Sequence, residues 1–171
     1  MHLLLVGLRG TGKSTIGRLV ADLAPRPFID LDERTSALAG QDAASCFKEH
    51  GEAKWREFEA LALEAALKEE PSIIALGGGT PMAPGALEQI TNAQAHSLLQ
   101  VAWLDAPDNV LLERIGTDPS RPALTDLSPD EEIAQIRARR EPVFASIAQV
   151  RLDTAASSRD EVVAQLADLI R

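Results

Sequence analysis

A glycine-rich stretch near the start of the chain ends in a lysine and two hydroxyl residues. It reads GLRGTGKST over residues 7–15, with an apolar run before it and a helical pattern after it. This is the phosphate-binding pattern G-x-x-x-x-G-K-[ST] in the context it requires. Backbone N–H groups of such a loop form an anion nest, and the following helix adds its positive end. We expect Lys13 to reach the β- and γ-phosphates of a nucleoside triphosphate, and Ser14 to ligate Mg²⁺.

Carboxylates at the ends of two strand-like runs are candidates for a magnesium site. Asp30 and Asp32 close the run PFIDLD, and Asp105 closes VAWLD. Mg²⁺ needs a nearby carboxylate, bound directly or through water. Asp30 and Asp32 point to the same side of an extended chain, which favours a joint role. Spacing does not decide between them and Asp105, and a helix cap is an alternative role for either site. Asp32 is also a candidate to receive the proton of an attacking hydroxyl, with turn chemistry as its alternative.

Two arginines are candidates for holding an anionic substrate. Arg56 lies in KWREFEALALEAAL, where Trp55 and Phe58 belong to the apolar side of a helix. Arg140 lies in RARREPVF, before a proline that we expect to end its helix. A guanidinium fork suits a carboxylate, and Glu59 is spaced to hold Arg56 in place. Taken singly, each arginine is better explained as a solvated surface charge than as a ligand of the substrate.

Three consecutive glycines follow another apolar run, in IIALGGGTP at residues 73–81. No lysine follows them, and the chain already has a phosphate loop, so a second phosphate cradle is not favoured. We expect Gly77, Gly78 and Gly79 to let an acceptor molecule lie against bare backbone. A tight turn that needs glycine angles is the alternative.

Five apolar runs must position these residues. They span residues 2–6, 27–30, 72–76, 98–104 and 149–152. Near-continuous apolar runs are typical of a parallel sheet that is covered on both faces. Helical spacing between them, as at Val162, Val163, Leu166, Leu169 and Ile170, predicts a three-layer α/β/α fold of one domain over residues 1–171. In such a fold, ligands bind at the carboxyl ends of the strands.

One polar, proline-rich segment interrupts this alternation at about residues 116–130, GTDPSRPALTDLSPD. It is either an ordinary surface loop or a mobile lid, and Arg121 within it favours the lid.

Composition limits the classes of partner. The chain has 171 residues, 45% of them hydrophobic, and a net charge of −9, which argues against general binding of nucleic acid or anionic membranes. Cys46 is the single cysteine, no apolar run approaches the roughly 20 residues that span a bilayer, and His2 leads into LLLVG without a charged leader. We therefore expect a soluble, cytoplasmic protein. We also expect it to be a monomer whose partner is a small-molecule substrate.

As an ordered set, these motifs resemble the shikimate kinases, a branch of the nucleoside-monophosphate-kinase-like P-loop fold. The resemblance is collinear over essentially the whole chain. It includes GLRGTGKSTIGRLVA, FIDLDERT, FKEHGEAKWREFE, LGGGTP, SRPAL and RREPVF. It implies a sheet of order 2-3-1-4-5 and transfer of the γ-phosphoryl group of ATP to the 3-hydroxyl of shikimate, with Mg²⁺.

The resemblance also implies roles for single residues. On the acceptor side, a helical segment at about residues 31–60 would bind shikimate, with Asp32 at its hydroxyls, Arg56 and Arg140 at its carboxylate, and the three glycines lining the pocket. The nucleotide-binding set would be Gly10, Thr11, Gly12, Lys13, Ser14, Thr15, Arg114 at the adenine and Arg121 over the phosphates. Asp30 would assist the magnesium site through water, and Lys13, Asp32 and Arg121 would be catalytic.

Two positions depart from the pattern or carry no assignment. Family members often have a basic residue after the last strand, but here that turn reads DTAASSRDE and Arg159 is displaced, so it is not assigned. Arg9 receives no role. A gluconate-type kinase or divergent paralogue, a nucleoside monophosphate kinase and a non-catalytic nucleotide-binding regulator are the alternatives. The acceptor-side set favours a carboxylated, polyol-like ring over them.

Overall fold

The five apolar runs form one parallel sheet in the computed structural model, which describes residues 1–116 and 127–170. The strands are β1 (His2–Val6), β2 (Phe28–Asp30), β3 (Ile73–Ala75), β4 (Leu99–Asp105) and β5 (Val150–Asp153). Their order across the sheet is β2-β3-β1-β4-β5, and every neighbouring pair is parallel. The predicted strands are confirmed to within one residue at each end, and so is the predicted order.

Helices cover both faces of the sheet. Those of the described residues are α1 (Lys13–Leu23), α2 (Leu31–Ala39), α3 (Ala43–His50), α4 (Glu52–Leu67), α5 (Ala86–Ala95), α6 (Asp108–Gly116), α7 (Pro129–Ile147) and α8 (Arg159–Asp168), with a 3₁₀ turn at Thr80–Met82. The three-layer α/β/α architecture is therefore confirmed. None of the helices in the described part of the chain is long and apolar enough to cross a membrane.

Two apolar cores lie on opposite faces of the sheet. Leu4 of β1 faces a core shared with Leu63 of α4 and Phe144 of α7. Its neighbour Leu3 faces a second core shared with Val20 of α1 and Leu166 of α8. Because successive strand residues point to opposite faces, a strand buried on both sides must be apolar at every position.

The carboxyl ends of β2, β3 and β1 lie side by side, since β3 pairs with both of the others. The phosphate loop follows β1, Asp30 ends β2, and Gly77 comes two residues after β3. One edge of the sheet thus gathers the motifs predicted to do chemistry, as expected for open parallel sheets.

Helix α7 does not end at its proline, so that prediction was wrong. Pro142 lies inside the helix, which continues to Ile147. A proline here removes the hydrogen bond to the carbonyl of Ala138. The helix continues because Phe144 and Ile147 beyond the proline are buried in the core, and the packing of these side chains outweighs the lost hydrogen bond.

The apolar face of α4 also differs from the sequence prediction. Trp55 and Ala62 are buried, but Phe58 is only half-buried and Leu61 is exposed. The carboxylate of Glu59 takes an interior position instead. Periodicity placed apolar side chains on this face, whereas the fold uses part of it to hold an ion pair.

The predicted lid falls largely outside the described residues. Helix α6 reaches Gly116 and α7 begins at Pro129, whereas Arg121 and the rest of residues 117–126 are not described. The predicted roles of this segment and of Arg121 stay predictions.

Candidate active site

Glycines shape the phosphate loop between β1 and α1. Gly10 and Gly12 have φ values of 83° and 86°, which L side chains rarely adopt. Gly12 precedes the first turn of α1 and provides no side-chain cap, so no cap shields that helix end from an anion. Thr11 is fully buried and donates its hydroxyl hydrogen to the carbonyl of Leu8 at 2.9 Å. Its side chain therefore supports the loop, and only its backbone remains to face a phosphate.

Lys13 folds back over this loop. Its Nζ donates to the carbonyls of Gly7 and Leu8, each at 2.9 Å. The ammonium group is thus held over the loop at the place where phosphate oxygens would compete for it. Thr15, in the first turn of α1, is exposed.

Ser14 and Asp30 meet across the gap between α1 and β2. The Ser14 hydroxyl donates to Oδ2 of Asp30 at 2.6 Å. Oδ1 of Asp30 accepts from the backbone N–H of Asp32 at 3.1 Å, so Asp30 also caps α2. The two aspartates do not lie along one extended strand as expected, because the helix begins at Leu31. Asp30 is the capping residue, and Asp32 belongs to the first helical turn.

Asp105 forms ion pairs with two arginines. Its Oδ1 accepts from Arg137 at 3.0 Å, and its Oδ2 accepts from Arg151 at 2.5 and 3.1 Å. Burial alone would raise the pKa of Asp105, but these hydrogen bonds outweigh it and lower the pKa below its usual value. Of the two alternatives for the magnesium site, the geometry favours Asp30, because it contacts Ser14 and Asp105 is bound to two arginines.

The three glycines leave room for side chains of the site itself. A Cβ atom on Gly77 would overlap the Asp32 carboxylate, and one on Gly79 would overlap the Arg56 guanidinium. A Cβ atom on Gly78 would lie 2.9 Å from Nη1 of Arg140. None of the three has a left-handed backbone, and Gly79 has φ −106°. Left-handed backbone angles are therefore not the reason for these glycines, and close approach is.

Arg56 is held between two glutamates of its own helix. Its Nη1 donates to Glu59 at 2.5 Å, and its Nε and Nη2 donate to Glu52 at 3.1 and 2.5 Å. Glu59 in turn accepts from the hydroxyl of Thr80 at 2.8 Å. The predicted partnership of Arg56 and Glu59 is confirmed, and it explains why this carboxylate is buried. Although burial works in the other direction, the glutamates raise the pKa of Arg56 above its usual value.

Arg140 approaches the same place from α7 without a counter-ion. Within residues 1–116 and 127–170, no hydrogen bond or ion pair is formed by its guanidinium. Burial, and secondarily the positive charge of Arg56, lowers the pKa of Arg140 to about 10. The group is still a cation at neutral pH, but its charge is poorly compensated. An anion bound between Arg56 and Arg140 would supply the missing compensation.

Asp32 faces both halves of the site. It keeps access to solvent, yet enough protein surrounds its carboxylate to displace part of its hydration, which raises its pKa above the usual value. Lys13 and Arg56 act against this shift, whereas the carboxylates of Asp30 and Glu59 add to it. A carboxylate with a raised pKa next to a phosphate loop is suited to accept a proton.

Arg114 joins the phosphate loop to the turn after the last strand. It donates to the carbonyl of Gly10 at 3.2 Å, and to the hydroxyl and carbonyl of Thr154 at 3.0 and 2.9 Å. Arg114, which the sequence predicts to contact the adenine, is thus fixed beside the phosphate loop. Arg159, left unassigned, begins α8 beyond this turn.

Two charged residues near the site escaped the sequence analysis. Glu52 had a usable signal, since it precedes Arg56 by four residues in a helical pattern, the spacing of a side-chain pair. Arg137 had none, because its contacts with Asp105, Asp108 and the carbonyl of Ala106 join elements far apart in the chain.

Comparison with known proteins decides between the candidate families. A family model described as shikimate kinase matches residues 9–171. The chain belongs to the shikimate kinase family. The shikimate kinase of Rhodopirellula baltica is 34% identical over 169 residues, which cover 96% of this chain and 88% of that relative. The expected family is therefore confirmed, and with it the enzyme class, a phosphotransferase.

Solved structures agree in fold. The shikimate kinase from Acinetobacter baumannii, solved in complex with shikimate, has a TM-score of 0.88 and 25% identity, covering 99% of this chain and 92% of that one. A gluconokinase from Sinorhizobium meliloti has a TM-score of 0.64 and 20% identity, covering 98% of this chain and 92% of that one. The gluconokinase shares the fold and supports no claim about substrate.

Proposed function

We propose that this chain transfers the γ-phosphoryl group of ATP to the 3-hydroxyl of shikimate, giving shikimate 3-phosphate and ADP. The observation that carries the proposal is the meeting of Asp32, Arg56 and Arg140 against three bare glycines, beside the phosphate loop. A base and two cations so close to a phosphate loop suit an acceptor that carries both a hydroxyl and a carboxylate.

The nucleotide side is assigned to the loop and the elements fixed to it. Backbone N–H groups of Gly10–Thr15 and the start of α1 suit the phosphates of ATP. Lys13 is placed to exchange its hydrogen bonds with the loop carbonyls for hydrogen bonds with phosphate oxygens. Arg114 would pack against the adenine beside Thr154. Arg121 would neutralise charge on the transferred group, and it lies outside the described residues.

Ser14 and Asp30 fit a magnesium ion. A hydroxyl and a carboxylate in contact at 2.6 Å offer the oxygen ligands that Mg²⁺ prefers, and Mg²⁺ usually keeps several waters besides. Ser14 would bind it directly and Asp30 through water. When bound, the ion would neutralise negative charge on the β- and γ-phosphate oxygens.

Arg56 and Arg140 would hold the carboxylate of shikimate, and Asp32 would take the proton of its 3-hydroxyl. As the hydroxyl oxygen forms its bond to the γ-phosphorus, the bond to the bridging oxygen breaks and ADP leaves with the electron pair. The hydroxyl proton passes to the Asp32 carboxylate, whose raised pKa favours this transfer.

An ADP-release assay with shikimate, gluconate and nucleoside monophosphates tests the assignment. We expect turnover of shikimate and of none of the other acceptors. Turnover of gluconate but not of shikimate would contradict the proposed acceptor.

In the same assay, Arg56→Lys should raise the KM for shikimate more than the KM for ATP, because a point charge does not replace a bidentate fork.

The assembly state and location complete the proposal. We propose a cytoplasmic monomer whose partner is its small-molecule substrate, in keeping with the acidic net charge of −9. Sedimentation at equilibrium tests the monomer, and a concentration-dependent rise in mass would contradict it.

A further inference from the structure

A second carboxylate reaches the acceptor-side arginine from the solvent. Oε1 of Glu52 accepts from both Nε and Nη2 of Arg56, whereas Glu59 accepts from Nη1. The side chain of Glu52 is 64% exposed, and those of Arg56 and Glu59 are 14% and 2% exposed. Glu59 is thus an interior support, while Glu52 is a surface residue that extends over the arginine.

The hydrogen bonds of Glu52 do not consume the donors that a substrate needs. A guanidinium has five N–H donors. Glu52 and Glu59 use three of them, which leaves one on each terminal nitrogen of Arg56. A bound carboxylate therefore need not displace Glu52. Since one oxygen of Glu52 accepts both bonds, the carbonyl oxygen of a glutamine can accept the same pair.

The charge of Glu52 is a different matter. Arg56 and Arg140 bring two positive charges to this place, and Glu59 and Glu52 bring two negative charges. A hydrogen bond from Arg56 lowers the pKa of Glu52, and the charges of Arg140 and Arg139 add to the shift. Glu52 thus lies in the positive field that a substrate carboxylate would meet, and offsets part of it before the substrate arrives.

We propose that Glu52 sets the acceptor affinity of this enzyme, because its negative charge weakens the hold of Arg56 and Arg140 on a carboxylate. The inference rests on the proposed carboxylate-binding roles of these two arginines. Phosphorylation leaves the carboxylate unchanged, so the product keeps the group that the arginines hold. A weakened hold therefore also speeds product release.

Glu52→Gln separates the charge of this residue from its hydrogen bonding. We expect the KM for shikimate to fall about two- to fivefold, within the range of an exposed ion pair, with the KM for ATP unchanged. The difference from the wild-type enzyme should shrink as ionic strength rises to about 1 M, where exposed charges are screened. An analogue with a hydroxymethyl group in place of the carboxylate should have the same KM with both enzymes.

Glu57→Gln is the matched control. Glu57 lies on the same helix and pairs with Lys54 at 2.6 Å, so the variant loses one negative charge without touching Arg56. Its KM for shikimate should stay at the wild-type value. An unchanged or raised KM for shikimate in Glu52→Gln, or a decrease that high salt does not reduce, would overturn the inference.

Arg140→Gln in the same assay distinguishes a failure of the proposed carboxylate site from a failure of the proposed role of Glu52. If this variant leaves the KM for shikimate unchanged, the proposed carboxylate site itself is wrong. If Arg140→Gln raises that KM and Glu52→Gln fails to lower it, the carboxylate site stands and the role of Glu52 does not.

Discussion

At the scale of single residues, the fold holds two charged side chains of this site in electrostatically unfavourable surroundings. Arg140 carries a poorly compensated positive charge, and Asp32 carries a carboxylate with a raised pKa. Each of these charges costs folding stability, and each is suited to a partner that arrives with the substrate. Perturbed groups that converge in this way are typical of active sites.

Asp32→Asn should abolish phosphoryl transfer while ATP binding is retained, and it should raise the melting temperature near neutral pH. The folded state binds the Asp32 proton more tightly than the unfolded state, because the folded pKa is raised. The ionised carboxylate therefore costs stability above the folded pKa, and this cost disappears as pH falls through that pKa. Thermal melts over a pH series, with ATP titrations, check both effects.

The stability gain of Asp32→Asn should accordingly diminish toward acid pH. Asp22→Asn, at an exposed position on α1, controls for the loss of one negative charge. A variant that still transfers phosphate would remove Asp32 from the mechanism. A variant that melts below the wild-type protein at neutral pH would contradict the stability cost of the ionised carboxylate.

Gly79→Ala should raise the KM for shikimate roughly ten- to a hundredfold, because the new methyl group displaces the guanidinium of Arg56. Alanine accepts the backbone φ of −106°, so we expect little loss of thermal stability and no change in ATP affinity. Steady-state kinetics and a thermal melt check this.

Gly78→Ala should act like Gly79→Ala through Arg140, with a smaller effect because its contact is looser. An equal loss of ATP affinity and shikimate affinity would mean that the glycines serve folding rather than the acceptor.

At the scale of elements, Arg137 connects α7 to the junction of β4 and α6. It donates to Asp108 at 2.6 Å, to Asp105 at 3.0 Å and to the carbonyl of Ala106 at 2.7 Å. Arg140 lies one helical turn further along α7. The same attachment therefore fixes the helix that delivers the Arg140 guanidinium to the site.

Arg137→Met should lower the free energy of unfolding by roughly 2 kcal/mol, because it leaves Asp108 unpaired and the Ala106 carbonyl without its donor. Urea denaturation measures the change. Arg139→Met, at an exposed position two residues away, should change stability by less than about 0.5 kcal/mol. Equal effects of the two substitutions would show that the attachment carries no stability.

Sequence patterns predicted the elements better than the contacts between them. The strands and the loop of residues 7–15 follow from local patterns, and both were predictable. The interior position of Glu59 was not, because it depends on Thr80 and Arg56 meeting after the chain has folded. The helix beyond Pro142 and the arginine partners of Asp105 likewise depend on packing between distant segments. Local propensity does not encode such contacts.

At the scale of the whole molecule, one sheet joins two apolar cores and a cationic site in an acidic protein. The net charge of −9 means that the anionic substrates approach against the overall field and are held by a few local cations. The cores on the two faces share the strands of the sheet, so we expect them to unfold together.

Leu63→Ala and Leu166→Ala test this cooperativity from opposite faces of the sheet. Each removes a fully buried side chain and should cost about 3 kcal/mol. The double variant should show the sum within about 0.5 kcal/mol, with one urea transition and an unchanged m-value. A second transition would mean that the two faces unfold separately.

The close contacts at Gly77, Gly78 and Gly79 have a genetic consequence. Every glycine codon begins with GG, and each single-nucleotide change that alters the amino acid introduces either a stop codon or a residue with a Cβ atom. At these positions that atom meets Asp32, Arg140 or Arg56. We expect nearly all missense mutations in these adjacent codons to yield protein that folds but has a weakened or lost acceptor site, so that this short stretch of the gene is far less tolerant of change than the core that surrounds it.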